Sequence, residues 1–336
     1  MRVVFMGTPE IAAGILKTLI VSRHEVVGVV TQPDKPNSRG NEIIFSDVKK
    51  VAIEHEIPVF QPEKASDETF VESIRQLDPD IIVVAAYGQI LRENILNLPR
   101  YRCINVHASL LPKYRGASPI QWAVINGEKE TGITIMYMEK GLDTGDMILT
   151  RKLELAPDET AGSLHDRLME LGGPTLLEAM ERIEAGTAHP VPQNNDEATY
   201  VGMIKKSMGE LEFNNKTEYL ERLIRGLIPW PGAYTFINGK MLKIWKAVIP
   251  DGCAAASEEA GSAGDCEPSC CGVTAERTPG RIFTYGAGLY IETADGCLEL
   301  LEVQLEGKKR MAAGDFLRGY KLEEGTVCGR KADEIS

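Results

Sequence analysis

The sequence predicts a two-part α/β protein: a mostly parallel sheet layered between helices, followed by a small β-barrel. Three observations carry this. Through the first half, short apolar runs alternate with segments of helical period. One run, Ile81–Ala86, is apolar without interruption, as a strand covered on both faces requires. Beyond residue 206, short strand-like runs follow one another with tight-turn signals between them.

Taken in order, Arg2–Gly7 is an apolar run that reads as a strand ending in the turn Gly7-Thr8-Pro9. Ile11–Ile20 has helical apolar spacing, and Glu25–Thr31 (EVVGVVT) reads as a second strand. Val48–His55 reads as a helix. Ile81–Ala86, Cys103–His107 and Gly132–Met138 are further strands. Strands separated by helices imply right-handed crossovers and a parallel, Rossmann-like sheet, with ligands beyond the carboxyl ends of its strands. Thr160–Glu184 reads as a long amphipathic helix or a helix pair interrupted at Gly172-Gly173-Pro174. The polar, Pro-containing stretch after Gly186 reads as a connector. The expected division is residues 1–186, a linker at 187–206, and a second domain over 207–336. In that domain Thr217–Leu227 looks helical. Ala233–Ile237, Asn238-Gly239 and Lys240–Val248 form a hairpin, because Asn-Gly suits a type I′ turn. Arg281–Phe283, Gly288–Thr293 and Cys297–Glu302 complete an OB-like barrel.

Composition excludes several classes. Of 336 residues, 43% are hydrophobic and 26% charged, and 32 Gly with 18 Pro fall short of low-complexity content. No apolar run reaches the roughly 18 residues of a membrane span, and the N-terminus lacks the charged, apolar and small-residue regions of a signal peptide. A cytoplasmic monomer is expected. The net charge of −12 argues against non-specific phosphate binding by the whole chain. It is unevenly spread: Asp251–Glu276 holds six acids and no Lys or Arg, so this stretch reads as a mobile surface insert. From Ser207 onward there are 15 basic and 20 acidic residues, and without the insert 15 against 14, which leaves room for a basic face on the barrel. Lys308-Lys309-Arg310 reads equally as a solvated turn or a phosphate contact. The odd count of seven cysteines suggests no disulfide framework. Cys266, Cys270 and Cys271 with Cys253 lack the paired C-x2-C spacing of a zinc site, so no metal is expected.

The chemistry concentrates in Cys103–Gly116, CINVHASLLPKYRG. Asn105 and His107 are two apart at the end of a strand and so share one face. The Gly-flanked loop Gly141–Asp146 follows the next strand, and adjacent parallel strands would bring Asp143 beside His107. An amide, an imidazole and a carboxylate together suit acyl-type transfer: the amide donates to an oxyanion, and the other two exchange protons with the amine and leaving group. Taken singly, Asn105 could satisfy backbone groups at a strand end, and Asp143 could shape a turn. No Ser or Cys sits at a strand-to-helix elbow, which favours direct transfer between two bound substrates. Gly7-Thr8-Pro9 lacks the later glycines of a dinucleotide site and is better read as a tight turn.

The segments NVHASLLPKYRGASPIQWAVINGEKETGIT and MEKGLDTGDMI resemble the signature of the folate-dependent formyltransferases. GTPEIAAGILKTLI, VVGVVTQPDKPNSRG, VVAAYGQIL and IPWPGAYTFINGKMLKIWKA resemble, in order and spacing, the branch of that family that acts on aminoacylated initiator tRNA. The resemblance covers Arg2 to about Val248 and, more loosely, Arg281–Tyr320; the insert departs from it. It implies transfer of a formyl group from 10-formyltetrahydrofolate, a co-substrate and not a resident cofactor, to the amine of methionyl initiator tRNA. It implies that Asn105 stabilises the oxyanion, His107 protonates the departing folate nitrogen, and Asp143 orients His107 and relays the amine's proton. It assigns folate contacts to Ser109, Leu110, Leu111 and Pro112, to the Ala86, Tyr87, Gly88, Gln89 and Ile90 wall, and to Gly141 and Leu142. It assigns tRNA contacts to the loop Pro33–Ile44 through Lys35 and Arg39. A formyl-folate hydrolase, a glycinamide formyltransferase and a sugar-nucleotide formyltransferase would share the trio, but the barrel and the Arg39 loop argue against each.

Overall fold

The computed structural model describes residues 1–36, 43–250 and 277–329. The expected insert at 251–276, with its four cysteines, and Arg39 lie outside the described residues. By contact density the chain forms two units. The first comprises residues 1–120, 129–155 and 163–202; the second takes 121–128, 156–162 and the chain from 203 onward.

The elements of the first half are β1 (Arg2–Gly7), α1 (Glu10–Ile20), β2 (Glu25–Val30), β3 (Lys35–Pro36), β4 (Ile43–Ile44), α2 (Asp47–Glu54), β5 (Val59–Phe60), α3 (Glu68–Gln76), β6 (Ile81–Ala85), α4 (Glu93–Leu96), β7 (Cys103–His107), β8 (Arg115–Gly116), α5 (Pro119–Ile125), β9 (Glu130–Tyr137), β10 (Met147–Glu154), α6 (Ala161–Glu184) and β11 (Tyr200–Val201). Seven strands make one sheet in the order β10-β9-β7-β6-β1-β2-β5. Pairings from β7 through β6, β1 and β2 to β5 are parallel. The fold is thus the Rossmann-like, mostly parallel sheet expected.

The sheet departs from expectation at one end. β9 runs antiparallel to β7, with Asn105 opposite Met136 and His107 opposite Thr134, and β10 forms an antiparallel hairpin with β9. Only a nine-residue loop separates β9 from β10, too short for a crossover that would restore the direction.

Both faces of this sheet are covered. On one face Val4, Met6, Val30, Ile82, Val84 and Cys103 pack with Phe70, Val71 and Ile74 of α3 and Ile95 of α4. On the other, α6 lies against α1 and β7: a Cβ at Gly172 would sit 3.1 Å from Ile15 Cδ1 and 3.7 Å from Val106 Cγ1, and one at Gly173 would sit 2.4 Å from Thr18 Oγ1. The Gly-Gly-Pro run therefore does not break the helix as expected. α6 is continuous with Pro174 inside it, and the glycines remove side chains where two helices meet closely. Tertiary packing here outweighs helix propensity.

The stretch expected as a linker also behaves otherwise. Val191 bridges Met147, and β11 pairs in parallel with β8, so residues up to 202 belong to the first unit.

The second unit holds α7 (Thr217–Gly226), β12 (Ala233–Ile237), β13 (Lys240–Val248), β14 (Ile282–Tyr285), β15 (Gly288–Glu292), β16 (Cys297–Leu305), β17 (Met311–Ala312) and α8 (Ala313–Gly319). The order β12-β13-β16-β15-β14, with β17 beside β16, is antiparallel throughout. The Asn-Gly hairpin forms with positive φ at both Asn238 (48°) and Gly239 (74°), as a type I′ turn demands. Between the two outer strands runs the segment 326–329: Ile282 N–H donates to Thr326 O and Cys328 N–H to Gly280 O, while Gly329 N–H donates to Phe236 O. The barrel is thus closed by an irregular segment. Its core gathers Leu220, Leu223, Ile224, Leu242, Ile244, Leu298, Leu300 and Phe316.

Candidate active site

β7 is buried along its whole length, and its alternation puts Asn105 and His107 on the face opposite Val106. Asp143 reaches them by a route the sequence reading did not foresee. Because β9 is antiparallel, its loop to β10 starts at the amino end of β7 and folds back over it. The Asn105 Nδ2 amide donates to Asp143 Oδ1 at 3.5 Å, and His107 Nδ1 lies 3.8 Å from Asp143 Oδ2. All three side chains converge, and Asn105 and His107 are buried.

The three consecutive residues 114–116 hold this group. His107 Nε2 lies 2.9 Å from Tyr114 O. A carbonyl only accepts, so Nε2 carries the ring proton, and Nδ1 is the nitrogen facing Asp143. The Gly116 N–H donates to Asp143 Oδ2 at 2.8 Å. Arg115 is 1% exposed. Its Nε and Nη2 donate to Gln193 Oε1, Nη2 also to Asn195 Oδ1, and Nη1 to the Tyr200 hydroxyl. The Gln193 amide donates to the carbonyls of Asp143 and Gly145, both at 2.8 Å. Tyr114, Arg115, Gly116 and Gln193 received no role from the sequence. The first three sit inside the motif quoted for other residues. Gln193 is 50 positions from Asp143 in a polar stretch, where no periodicity marks it.

The remaining expected site residues fall around this cluster. The Thr134 hydroxyl, beside His107 across the sheet, donates to Ser109 O and accepts from Leu111 N–H; Ser109 Oγ closes its own turn on Lys113 O. Ser109 and Leu111 are buried, and Leu110 and Pro112 partly so. Ala86, Tyr87, Gly88, Gln89 and Ile90 follow the carboxyl end of β6, whose Val84 pairs with Asn105. Within this wall Ala86, Gly88 and Ile90 are exposed, whereas Tyr87 is buried and its hydroxyl has no partner. Burial pushes the Tyr87 phenol up to about 12, so it stays protonated near neutrality. Gly141 and Leu142 lie on the loop that carries Asp143. Ile90 at 79% exposed and Leu142 at 55% are large apolar side chains left open to solvent. Gly7 shapes the strand-to-helix turn, where a Cβ would meet Ala85 O at 2.8 Å.

Lys35 lies in the short ribbon of β3 and β4. At the root of that ribbon the Lys49 ammonium pairs with Asp34, donates to Gln61 Oε1 at 2.7 Å and sits 4.0 Å above the Phe45 ring. Hydrogen bonding from Lys49 and then Gln61 holds the Asp34 carboxyl below its usual range. Among the described residues no cluster of His, Cys, Asp and Glu has metal-site geometry, and no helix is long and apolar enough to cross a membrane.

Comparison with known proteins adds the family. Residues 1–180 match the formyl transferase model and residues 203–321 that of the formyl transferase C-terminal domain. The chain is 52% identical over 330 residues to a methionyl-tRNA formyltransferase of Lachnospira eligens, covering 98% of this chain and 100% of that protein. It is 44% identical over 329 residues to one of Clostridioides difficile, with 98% and 100% covered. Among solved structures it resembles the sugar 3N-formyl transferase WlaRD in the presence of dTDP and 5-N-formyl-THF, at TM-score 0.62 and 18% identity over 92% of this chain and 99% of that one. It also resembles HypX of Aquifex aeolicus in complex with tetrahydrofolic acid, at TM-score 0.60 and 17% identity over 97% of this chain and 50% of that one. The structural likenesses establish a shared fold; the identities, sustained from end to end, place this chain in the formyl transferase family, among the methionyl-tRNA formyltransferases.

Proposed function

We propose that the chain transfers the formyl group of 10-formyltetrahydrofolate to the α-amino group of methionyl initiator tRNA, by direct attack and without a covalent enzyme intermediate. The observation that carries this reading is the convergence of the buried Asn105 and His107 with the half-buried Asp143. The neutral amine attacks the formyl carbon, and a tetrahedral oxyanion forms. The Asn105 amide donates to that oxygen. Asp143 accepts a proton from the attacking nitrogen and passes it to His107 Nδ1, and His107, its Nε2 held on Tyr114 O, delivers it to the folate nitrogen as the carbon–nitrogen bond breaks. Catalysis is then positioning plus electrostatic stabilisation.

Folate contacts fall to the 109–112 turn, the 86–90 wall and Gly141-Leu142. The Pro33–Ile44 stretch, through Lys35 and Arg39, and the barrel contact the tRNA. The protein acts as a cytoplasmic monomer with no resident cofactor or metal. The test is an assay of formyl transfer from 10-formyltetrahydrofolate with methionyl-tRNA, free methionine, an amino sugar nucleotide and water as rival acceptors. Transfer to methionyl-tRNA is expected to dominate, with a rate that rises with pH until the acceptor amine is neutral. Preference for any other acceptor, or a flat profile with chemistry limiting, overturns the reading.

A further inference from the structure

We propose that Arg115 and Gln193 are positioning residues for formyl transfer: Arg115 orients the Gln193 amide, and that amide holds the Asp143 loop so that its carboxylate faces Asn105 and His107. The proposal deepens the reading given above and rests on its assignment of Asp143.

Asp143 is held against its own preference. Its φ is +52°, a left-handed conformation that L residues adopt at some cost. The loop around it is tightly drawn: a Cβ at Gly145 would sit 1.9 Å from Tyr137 O, and one at Gly141 2.2 Å from Thr144 Oγ1. A strained residue in a loop keeps its geometry only if its surroundings over-determine it. Gln193 supplies that constraint. It is buried, both its N–H donors are spent on the carbonyls of Asp143 and Gly145, and its oxygen takes two N–H groups from one guanidinium. The planar Arg fork fixes which way the amide faces, because only the oxygen accepts from it.

Arg115 is itself informative. It is a fully buried cation whose hydrogen-bond partners are Gln193, Asn195 and the Tyr200 hydroxyl, all neutral, with the Tyr200 ring 5.7 Å away. Burying a charge among neutral groups is costly, and a guanidinium so placed polarises the amide it binds, which strengthens that amide's donors. The neighbouring backbone serves the same end, since Tyr114 O holds His107 and Gly116 N–H holds the Asp143 carboxylate. One three-residue strap thus fixes the imidazole and the carboxylate together, and the pairing of β8 with β11 anchors it.

The test compares Gln193→Glu, Gln193→Ala, Asp143→Asn and the Gln193→Ala/Asp143→Asn double variant. Gln193→Glu keeps acceptors for Arg115 but turns a carboxylate oxygen on the Asp143 and Gly145 carbonyls, so all variants are assayed well below their melting temperatures, where each is fully folded. We expect kcat to fall by up to about 10²-fold, as for a small misplacement of a catalytic group, with KM for tRNA and folate within about twofold of the parent, the signature of an interaction made in the transition state. The same loss is expected for Gln193→Ala, and in the Asp143→Asn background it should vanish, because Gln193 acts through Asp143. Parental kcat in Gln193→Glu, or fully additive losses in the double variant, overturns the positioning role. Near-parental activity in Asp143→Asn instead removes the assignment of Asp143, and the positioning role with it.

Discussion

The two large sheets of this protein treat polar side chains in opposite ways. In the first unit β6 and β7 are buried at every position, and the buried Asn105, His107, Arg115 and Gln193 are joined through Asp143 into one cluster. In the second unit β12 alternates buried and half-buried residues, the pattern of a sheet with one wet face. Among its buried polar residues, Thr217, Glu292 and Thr293 hold turns and strand ends. The contrast is one of grouping: the first unit gathers buried polar side chains around the proposed site, and the second spreads them over turns and strand ends.

Asn105→Ala probes the first half of that contrast and should have the largest effect. We expect kcat to fall about 10²–10³-fold, the scale of about 2.7–4 kcal/mol for losing one oxyanion donor, with the melting temperature nearly unchanged. Activity within a few-fold of the parent would break the contrast. Glu292→Ala probes the second half. Glu292 is fully buried, takes two hydrogen bonds from Arg281 and one from Thr278 N–H, and its removal strands the guanidinium. A stability loss of about 3 kcal/mol is expected, read by denaturant unfolding, with kcat per folded molecule unchanged.

Arg39→Ala sharpens the contrast by testing charge carried on a loop. It should raise KM for tRNA several-fold and leave kcat at saturation and folate affinity intact; unchanged kinetics would remove the loop from the tRNA site. The smallest effect is expected for Lys49→Met at the root of that ribbon. Asp34 titrates below its unfolded value, so its pairing stabilises the fold at pH values above the unfolded carboxyl pKa of about 3.9 and is lost as pH falls through the lower folded value. The variant should melt a few degrees lower at pH 7, and the gap should close on acidification below pH 4. A gap that persists at low pH would assign the stabilisation to packing on Phe45.

Much of this is legible in the sequence. Asn105 and His107 announced themselves by a two-residue spacing at a strand end, and the Asn238-Gly239 turn by its chemistry. Strand direction was not legible, because an apolar run reads alike in either sense; β9 reverses only because its loop to β10 is short. β10 itself, MILTRKLE, carries too many polar residues to stand out as a strand. α6 misled because Gly172 and Gly173 advertise a break, whereas their purpose lies on α1, some 150 residues earlier. Gln193 was hidden for the same reason: its partners are distant in the chain, and nothing in its neighbours records them.

The irregular closure of the barrel has a consequence for biosynthesis. The first unit has all its strands once residue 202 has been made, but the hydrogen bond from Gly329 N–H to Phe236 O on β12 forms only when the last described residues arrive. During translation the second unit therefore waits with an open seam, a ready template for a neighbouring nascent chain. Its yield should depend more on how quickly the final segment is delivered than on any contact in the catalytic half.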